Sequence, residues 1–313
     1  MPIRSALIAL VALAAPAQEP ELFAPGMVST AAHETSAVFT PDGNRVYFSR
    51  ADPAFLDSAI LEATKDAQGQ WGRVRLAPFS GTWRDTEPFV SPDGRRFFFA
   101  SNRPVTPGGP ALQIEGPGRK VAGSNIWYMD RTAEGWGEPV HVEGKVNGLP
   151  MVYNPTCTAD GTLYFSGRVI GGPAAQQIYL ARPKAGGGWG DPERLPFCDE
   201  SVAFMDPAIE PEGRWMVFLK GGAGLQIVFR EGGGWGKPQA LATPGFGPLL
   251  GNAPCLAPGG RAFTFTSQLG RPVAFPKPPS GLEGFQKRLA GPGNGSRDIY
   301  WLSLEPWLKA KGF

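Results

Sequence analysis

The sequence predicts an all-β fold made of one unit that is repeated five times along the chain. A turn phrase of the type S/T-P-D-G recurs at intervals of 47 to 67 residues, between runs of aromatic and β-branched residues. A strand-like segment follows each turn, and a turn rich in glycine and tryptophan follows four of these segments. Short strands repeated with a period of this size are typical of the blades of a β-propeller.

The turn phrase predicts a β-hairpin between the first and second strands of each blade. Proline fixes φ at the first central position of the turn, aspartate tolerates the second, and glycine accepts the left-handed conformation that follows. The flanking residues have the side chains that strands favour. The five phrases are FTPDGNRVYF (39–48), VSPDGRRFFF (90–99), CTADGTLYF (157–165), IEPEGRWMVF (209–218) and LAPGGRAFTF (256–265).

The rest of each unit predicts two further strands. The third strands are expected in SAILEATK (58–65), SNIWYMDRT (124–132), QQIYLARPK (176–184), LQIVFREG (225–232) and RDIYWLSLE (297–305). Outer strands are expected beside the turns that contain Trp71, Trp136, Trp189 and Trp235. Because large aromatic residues at fixed repeat positions are usually structural, we interpret these tryptophans as packing between blades or capping the core.

The predicted propeller has five blades of four strands, closed by the start of the chain. The blades are expected at about 33–83, 84–150, 151–202, 203–248 and 249–305. The fifth unit lacks its own outer strand, and the segment PELFAPGMV (20–28) resembles the outer strands of the other units. We expect it to complete the last blade and so to remove an exposed sheet edge. Six blades remain possible if an insertion contains a degenerate blade.

The first seventeen residues predict a secretory signal peptide. Arg4 precedes the apolar run ALIALVALAA (6–15), and Ala15-Pro16-Ala17 is a small-x-small cleavage site. We therefore expect cleavage near Ala17, a single domain over 18–313, and a periplasmic or secreted protein. No later stretch is apolar for 18 residues, so no transmembrane segment is expected.

Charge and residue counts argue against several classes of function. Removal of Arg4 lowers the net charge from +2 to +1, and this does not indicate a nucleic-acid partner. Cys157, Cys198 and Cys255 do not have the spacing of metal ligands. Export permits one disulfide, but we interpret the three cysteines as unpaired thiols. Two histidines, His33 and His141, are too few for a metal-dependent lyase site. No metal, no cofactor and a monomer are expected.

The S/T-P-D-G turns, the aromatic second strands and the "IY" third strands resemble the PD40 repeat, the WD40-like propeller unit of TolB and its relatives. The resemblance covers about residues 20–305. It implies a periplasmic propeller that serves as a binding or docking platform, with no catalytic signature common to the family. TolB carries an additional N-terminal domain and six blades, which this sequence does not predict. The resemblance therefore does not imply that this protein has the role of TolB.

Alignment of the five units predicts a polar ring at one mouth of the central channel. Equivalent positions at the start of the inner strands carry Ser36, Glu87, Asn154, Asp206 and Ala253, with Glu34, Asp85 and Asn252 nearby. The second strands end on the same face at Arg50, Arg103, Arg168 and Lys220. Two insertions, 105–123 and 269–296, also emerge there, and their basic residues are Arg119, Lys120, Arg271, Lys277, Lys287 and Arg288. Long insertions on a regular scaffold commonly carry function.

Three functional hypotheses follow from this arrangement. The first is an exported, non-enzymatic binding module for a protein, peptide or anionic glycan, with Glu34, Glu87, Asn154, Asp206, Asn252, Arg50, Arg84, Arg103 and Arg168 as ligand-binding residues. Under it, alanine at Arg103 and Arg168 is expected to weaken binding without lowering the melting temperature. The second is a glycosidase or lyase that uses Glu87 and Asp206, assisted by Glu34 or His33. The third is an envelope scaffold. Glu87 and Asp206 can also simply connect adjacent blades, and the two roles can coexist.

Overall fold

The computed structural model describes residues 19–116, 118–168, 176–243, 247–270, 275–277 and 281–313. Its strands form five antiparallel sheets arranged as a five-bladed β-propeller. This confirms the predicted fold class and number of blades, and the described residues form no sixth blade. Residues 1–17, the predicted signal peptide, lie outside the described residues.

Each blade runs from the inner strand at the channel to a short outer strand at the rim. Blade 1 contains His33–Phe39, Arg45–Ala51, Ser58–Thr64 and Arg75–Leu76. Blade 2 contains Asp85–Val90, Arg96–Ser101, Asn125–Asp130 and Val140–His141. Blade 3 contains Met151–Cys157, Leu163–Arg168, Gln176–Ala181 and Glu193–Arg194.

Blades 4 and 5 follow the same plan. Blade 4 contains Phe204–Ile209, Trp215–Lys220 and Gly224–Glu231, with Gly234–Trp235 and Gln239–Ala240 at its rim. Blade 5 contains Asn252–Leu256, Ala262–Ser267, Asp298–Ser303 and Glu21–Leu22. Additional elements are the hairpins Gln113–Gly116 with Arg119–Ala122 and Ala242–Thr243 with Gly247–Pro248, the 3-10 helix Gly144–Gly148, and the helices Gly281–Leu289 and Glu305–Ala310.

The start of the chain closes the ring, as the sequence predicts. Glu21–Leu22 pairs antiparallel with Asp298–Ser303, and the N–H of Phe23 donates to the Ile299 carbonyl at 2.8 Å. The Phe23 ring then packs against Trp71 of blade 1, with ring centroids 5.9 Å apart. The last blade therefore contains strands from both ends of the chain, and its third strand is not left as an open edge.

Aromatic side chains fill the spaces between blades. The indole N–H of Trp136 in blade 2 donates to the hydroxyl of Tyr47 in blade 1 at 2.9 Å. The Trp189 ring of blade 3 packs edge-on against Phe98 of blade 2 at 5.8 Å. These tryptophans occupy the interblade positions that the repeat suggests.

Among the described residues, no helix has the length and apolar character needed to cross a bilayer.

Candidate functional site

The inner strand of every blade contains a β-bulge at the position of the predicted polar ring. In each blade, two residues of the first strand lie opposite one residue of the second. The first bulge residue has a left-handed backbone, with φ between 47° and 58°. These residues are Ser36, Glu87, Asn154, Asp206 and Ala253. Because a non-glycine residue rarely adopts this conformation, its fivefold recurrence makes the bulge part of the propeller architecture.

The bulges connect the blades into a ring. The backbone N–H of each bulge residue donates to a side-chain oxygen of the preceding blade. The bonds are Ser36 to Thr266 Oγ1 (3.4 Å), Glu87 to Ser49 Oγ (2.9 Å), Asn154 to Glu87 Oε2 (2.8 Å), Asp206 to Ser166 Oγ (2.8 Å) and Ala253 to Asp206 Oδ2 (2.9 Å). Each bond satisfies a backbone donor that burial would otherwise leave unpaired.

Glu87 and Asp206 accept these bonds where a hydroxyl is missing. At one position of the second strand, blades 1, 3 and 5 carry Ser49, Ser166 and Thr266, whereas blades 2 and 4 carry Ala100 and Leu219. The carboxyl groups of Glu87 and Asp206 supply the acceptors that Ala100 and Leu219 cannot. The amide of Asn154 also donates to Asp206 Oδ1 at 2.6 Å, so this residue bonds to both carboxyl groups.

Both carboxyl groups line a cavity of about 310 Å³ on the mouth face, which is the face where the inner strands begin and where the second-to-third-strand loops emerge. Ten of its fourteen lining residues are polar or charged. The lining residues are Thr35, Ser36, Phe55, Arg84, Thr86, Glu87, Met151, Tyr153, Gln176, Met205, Asp206, Asn252, Ala253 and Arg297.

Two arginines of the cavity are positioned by Phe55. The Nε of Arg84 donates to the Phe55 carbonyl at 2.8 Å, and the Arg297 guanidinium lies 4.8 Å from the centre of the Phe55 ring. Neither guanidinium forms an ion pair with any residue that the structure describes. The Nη1 atom of Arg84 is buried and has no hydrogen-bond partner in the same part of the chain. The cavity thus contains two partly buried cations that form no direct ion pair, although the charge of Arg297 acts on Asp206 and that of Arg84 on Glu87.

Burial and mutual repulsion alter the protonation of the carboxyl groups. Burial, with the nearby Asp206 charge, raises the pKa of Glu87 to about 8. Burial also raises the pKa of Asp206, against the lowering effect of its hydrogen bonds from Ala253 and Asn154. Burial lowers the pKa of Arg297, and the nearby charge of Asp206 opposes this shift. Because Glu87 is protonated at neutral pH, the two guanidinium groups face at most one carboxylate, and the charged groups of the cavity carry a net positive charge.

Two arginines of the predicted ligand-binding set form ion pairs outside this cavity. Arg50 Nε lies 2.9 Å from Glu34 Oε1, and Glu34 is fully buried and also bonds to Thr30. Arg103 Nη2 lies 2.8 Å from Oδ1 of the fully buried Asp85. In each pair the guanidinium neutralises a buried carboxylate, so these arginines and Glu34 have structural partners and do not line the cavity.

The other predicted residues divide between the cavity and its surroundings. Glu87, Asp206, Asn252 and Arg84 line it. Asn154 bonds to both carboxyl groups, and Arg168 pairs across the sheet with Met151, but neither residue lines the cavity. The predicted set omits Phe55, Tyr153, Gln176 and Arg297. Arg297 immediately follows the 269–296 insertion, and that position is the signal that could have identified it.

The described residues include three free cysteines and no cluster of metal ligands. Cys157 and Cys198 are buried, Cys255 is partly buried, and all three are free. Burial raises the pKa of Cys157 to about 12 and that of Cys198 to about 11, which disfavours the nucleophilic thiolate. Within the same residues, no three or more His, Cys, Asp or Glu side chains are grouped as metal ligands.

The raised pKa of Glu87 gives a stability prediction. Between about pH 4.5 and pH 8 the folded state holds a proton that the unfolded state has lost, so stability falls as pH rises. Glu87→Gln keeps an acceptor for Asn154 but cannot ionise. Its stability relative to wild type should increase by about 3 kcal/mol from about pH 5 to about pH 8, measured by urea unfolding.

Glu134→Gln removes a carboxyl group from an exposed turn and controls for the loss of a charge. A Glu87→Gln variant whose stability follows wild type in parallel across this pH range would show that Glu87 does not hold its proton in the folded state.

Comparison with known proteins supports the fold. No protein-family model and no curated protein sequence matches this chain. A thermostable family-43 glycoside hydrolase is similar in structure, with 12% identity, a TM-score of 0.50 and coverage of 89% of this chain and 91% of that chain. The gluconolactonase XC5397 from Xanthomonas campestris has 11% identity, a TM-score of 0.48 and coverage of 93% and 89%. The resemblance to PD40 proteins therefore remains a prediction.

The hydrazine synthase of Kuenenia stuttgartiensis has 15% identity and a TM-score of 0.38, with 72% of this chain and 66% of that chain covered. This chain spans 51% and 55% of two further similar structures, from Bacteroides fragilis and Bacteroides uniformis. At these identities, the likeness to the glycoside hydrolase shows a shared propeller fold.

Proposed function

We propose that this protein is an exported, non-enzymatic binding module whose mouth-face cavity takes a small acidic saccharide. The observation that carries the proposal is the pair of guanidinium groups, Arg84 and Arg297, which line one cavity without an ion-pair partner among the described residues. Buried charges in proteins are normally paired. An anionic ligand would supply the direct ion pair that neither guanidinium forms.

The rest of the lining favours a ligand with many hydroxyl groups. Thr35, Gln176 and Asn252 offer hydroxyl and amide groups that both donate and accept hydrogen bonds, whereas the Tyr153 hydroxyl is buried. The protonated carboxyl of Glu87 adds a donor. A volume of about 310 Å³ lies at the small end of the range of ligand pockets, about 300–1,000 Å³. These features favour a short acidic saccharide, or the end of a longer chain, over a folded protein.

Export is the part of the proposal that rests on the sequence alone. The predicted signal peptide would deliver the mature protein, residues 18–313, to the periplasm or the exterior. Acidic saccharides are available in both places as parts of envelope and extracellular polymers, so the location and the ligand class agree.

Substitution of Arg84 tests the proposal. Arg84→Met keeps the length of the side chain and removes its charge, so binding of trigalacturonate by the mature protein should weaken about 10- to 100-fold, measured by calorimetric titration. Arg95→Met, on an exposed turn at the opposite end of the inner strands, is the matched control and should bind as wild type does. Equal affinity of both variants for trigalacturonate would contradict a ligand site at Arg84.

A glycosidase is the second candidate, favoured by the pair of carboxyl groups that Asn154 holds. One of them, Glu87, is protonated at neutral pH, as a general acid must be. A glycosidase needs a second carboxyl group close by, and Asp206 lines the same cavity and bonds to the same residue, Asn154. The sequence likewise leaves this alternative open.

Glu87→Gln separates the two candidates. In a binding module the variant should bind trigalacturonate as wild type does at neutral pH, and neither protein should release reducing ends. In a glycosidase, wild type should release reducing ends from the saccharide, and Glu87→Gln should bind it without cleavage. If wild type cleaves the saccharide and Glu87→Gln does not, the protein is a glycosidase and the binding-module proposal is wrong.

A further inference from the structure

Exposed large apolar side chains are concentrated on the mouth face. Among the described residues, nine large hydrophobic side chains are exposed, and seven of them lie on this face. These seven are Leu56, Val105, Leu250, Phe275, Leu282, Phe285 and Leu289. The other two, Leu76 and Val140, belong to rim strands. Single exposed apolar residues are ordinary, but their concentration on one face indicates a surface that contacts an apolar partner.

The centre of this distribution is the helix Gly281–Leu289. No residue of this helix is buried. Leu282, Phe285 and Leu289 follow one another at spacings of three and four residues, so they form one apolar stripe, and they are 71%, 46% and 51% exposed. Phe275, in the same insertion, is 76% exposed. The helix is therefore amphipathic, yet within the described residues no other part of the propeller covers its apolar stripe.

Basic residues accompany the apolar ones. The 269–296 insertion contains four basic residues and a single acidic residue, Glu283. The ammonium of Lys277 lies 5.0 Å from the centre of the Phe275 ring, and the guanidinium of Arg288 lies 5.8 Å from that of Phe285. Each of these cations stands beside an exposed aromatic ring. Helices that lie in a membrane interface typically carry phenylalanine and leucine on one side and lysine and arginine around them.

We propose that the mouth face, through the helix Gly281–Leu289 and Phe275, binds reversibly to the surface of an anionic lipid membrane. The apolar stripe would enter the boundary between headgroups and acyl chains, and Lys277 and Arg288 would meet anionic headgroups. Leu56, Val105 and Leu250 are exposed at separate points of this face, and a fluid lipid surface can adapt its shape to contact all three. The insertion ends beside blade 1, where the Asn294 amide and the Ser296 hydroxyl both donate to the Ala31 carbonyl. The helix is thus tethered to the propeller and can hold it at the membrane.

Sedimentation with vesicles tests this surface independently of the saccharide proposal. The mature protein should sediment with vesicles of phosphatidylglycerol and phosphatidylcholine in equal parts, should bind much less to phosphatidylcholine alone, and should be released by high salt. Leu282→Glu with Phe285→Glu should reduce partitioning at least about tenfold, because two apolar side chains no longer enter the lipid. Their exposure means that the melting temperature should not change.

Leu76→Glu is the matched control, because Leu76 is 50% exposed on a rim strand. It should partition as wild type does. Wild-type protein that stays in the supernatant with the anionic vesicles would overturn the proposal, as would equal partitioning of the double variant. The protein can instead fail to bind vesicles and elute from a size-exclusion column as a dimer that Phe285→Glu dissociates. In that case the face is a contact between copies of this chain, and the lipid proposal is wrong.

Discussion

Deletion of residues 18–28 should lower the free energy of unfolding by about 5 kcal/mol or more, a large part of the net stability of a typical globular protein. The deletion removes the strand Glu21–Leu22 and exposes the edge of Asp298–Ser303. It also removes Phe23, which packs between Trp71 and Trp301, and Val28, which is fully buried. Urea unfolding measures the loss, and the exposed edge should promote association at high protein concentration.

The deletion variant can fail to fold altogether, so a milder change accompanies it. Phe23→Ala keeps the strand and removes only the ring, and should cost about 2–3 kcal/mol because Phe23 is partly exposed. Glu19→Ala, at an exposed position beside the strand, should leave stability unchanged within about 0.5 kcal/mol. A deletion variant that is monomeric and unfolds at the wild-type urea concentration would show that the first strand does not close the ring.

Arg103→Ala should destabilise the protein by about 3–5 kcal/mol. Arg103 is 8% exposed and pairs with Asp85, which also accepts bonds from Ser80 and Ser101. Without the guanidinium, the Asp85 carboxylate remains buried with no cation beside it. Loss of the contacts to the Phe99 and Trp127 rings adds to the effect. The structure thus reverses the expectation that alanine at Arg103 spares the melting temperature.

An exposed ion pair provides the control for this prediction. Lys145 and Asp191 also pair, but their side chains are 72% and 67% exposed. Lys145→Ala should therefore cost less than about 1 kcal/mol. If thermal or urea unfolding finds the two variants equally stable, the buried pair contributes no more than a surface pair and its structural assignment is wrong.

Repetition made the fold predictable from the sequence. Each S/T-P-D-G turn sets a hairpin locally, and five similar turns determine the architecture without any knowledge of long-range contacts. The closing strand was predictable because PELFAPGMV matches outer strands whose place in the unit was already assigned. The outer strands themselves are only two residues long in most blades, which the longer segments in the sequence did not indicate.

The site was less predictable, because its residues acquire their roles from neighbours that are distant in sequence. Alignment identified the position of Glu87 and Asp206, but the left-handed bulge depends on register between strands. Sequence does not separate Arg50 and Arg103, which form direct ion pairs with buried carboxylates, from Arg84, which forms none with the described residues. Phe55 and Arg297 come from different blades and meet only in the folded ring.

The most direct test compares an acidic saccharide with its uncharged methyl ester. Trigalacturonate and its methyl-esterified form can be titrated calorimetrically into the mature protein at neutral pH, where Glu87 is protonated and Arg84 and Arg297 give the cavity a positive charge. The acidic form should bind at least about tenfold more tightly than the ester, because only its carboxylates pair with the guanidinium groups. Equal affinity for the two forms, or binding of neither, would contradict a cavity built for an acidic saccharide.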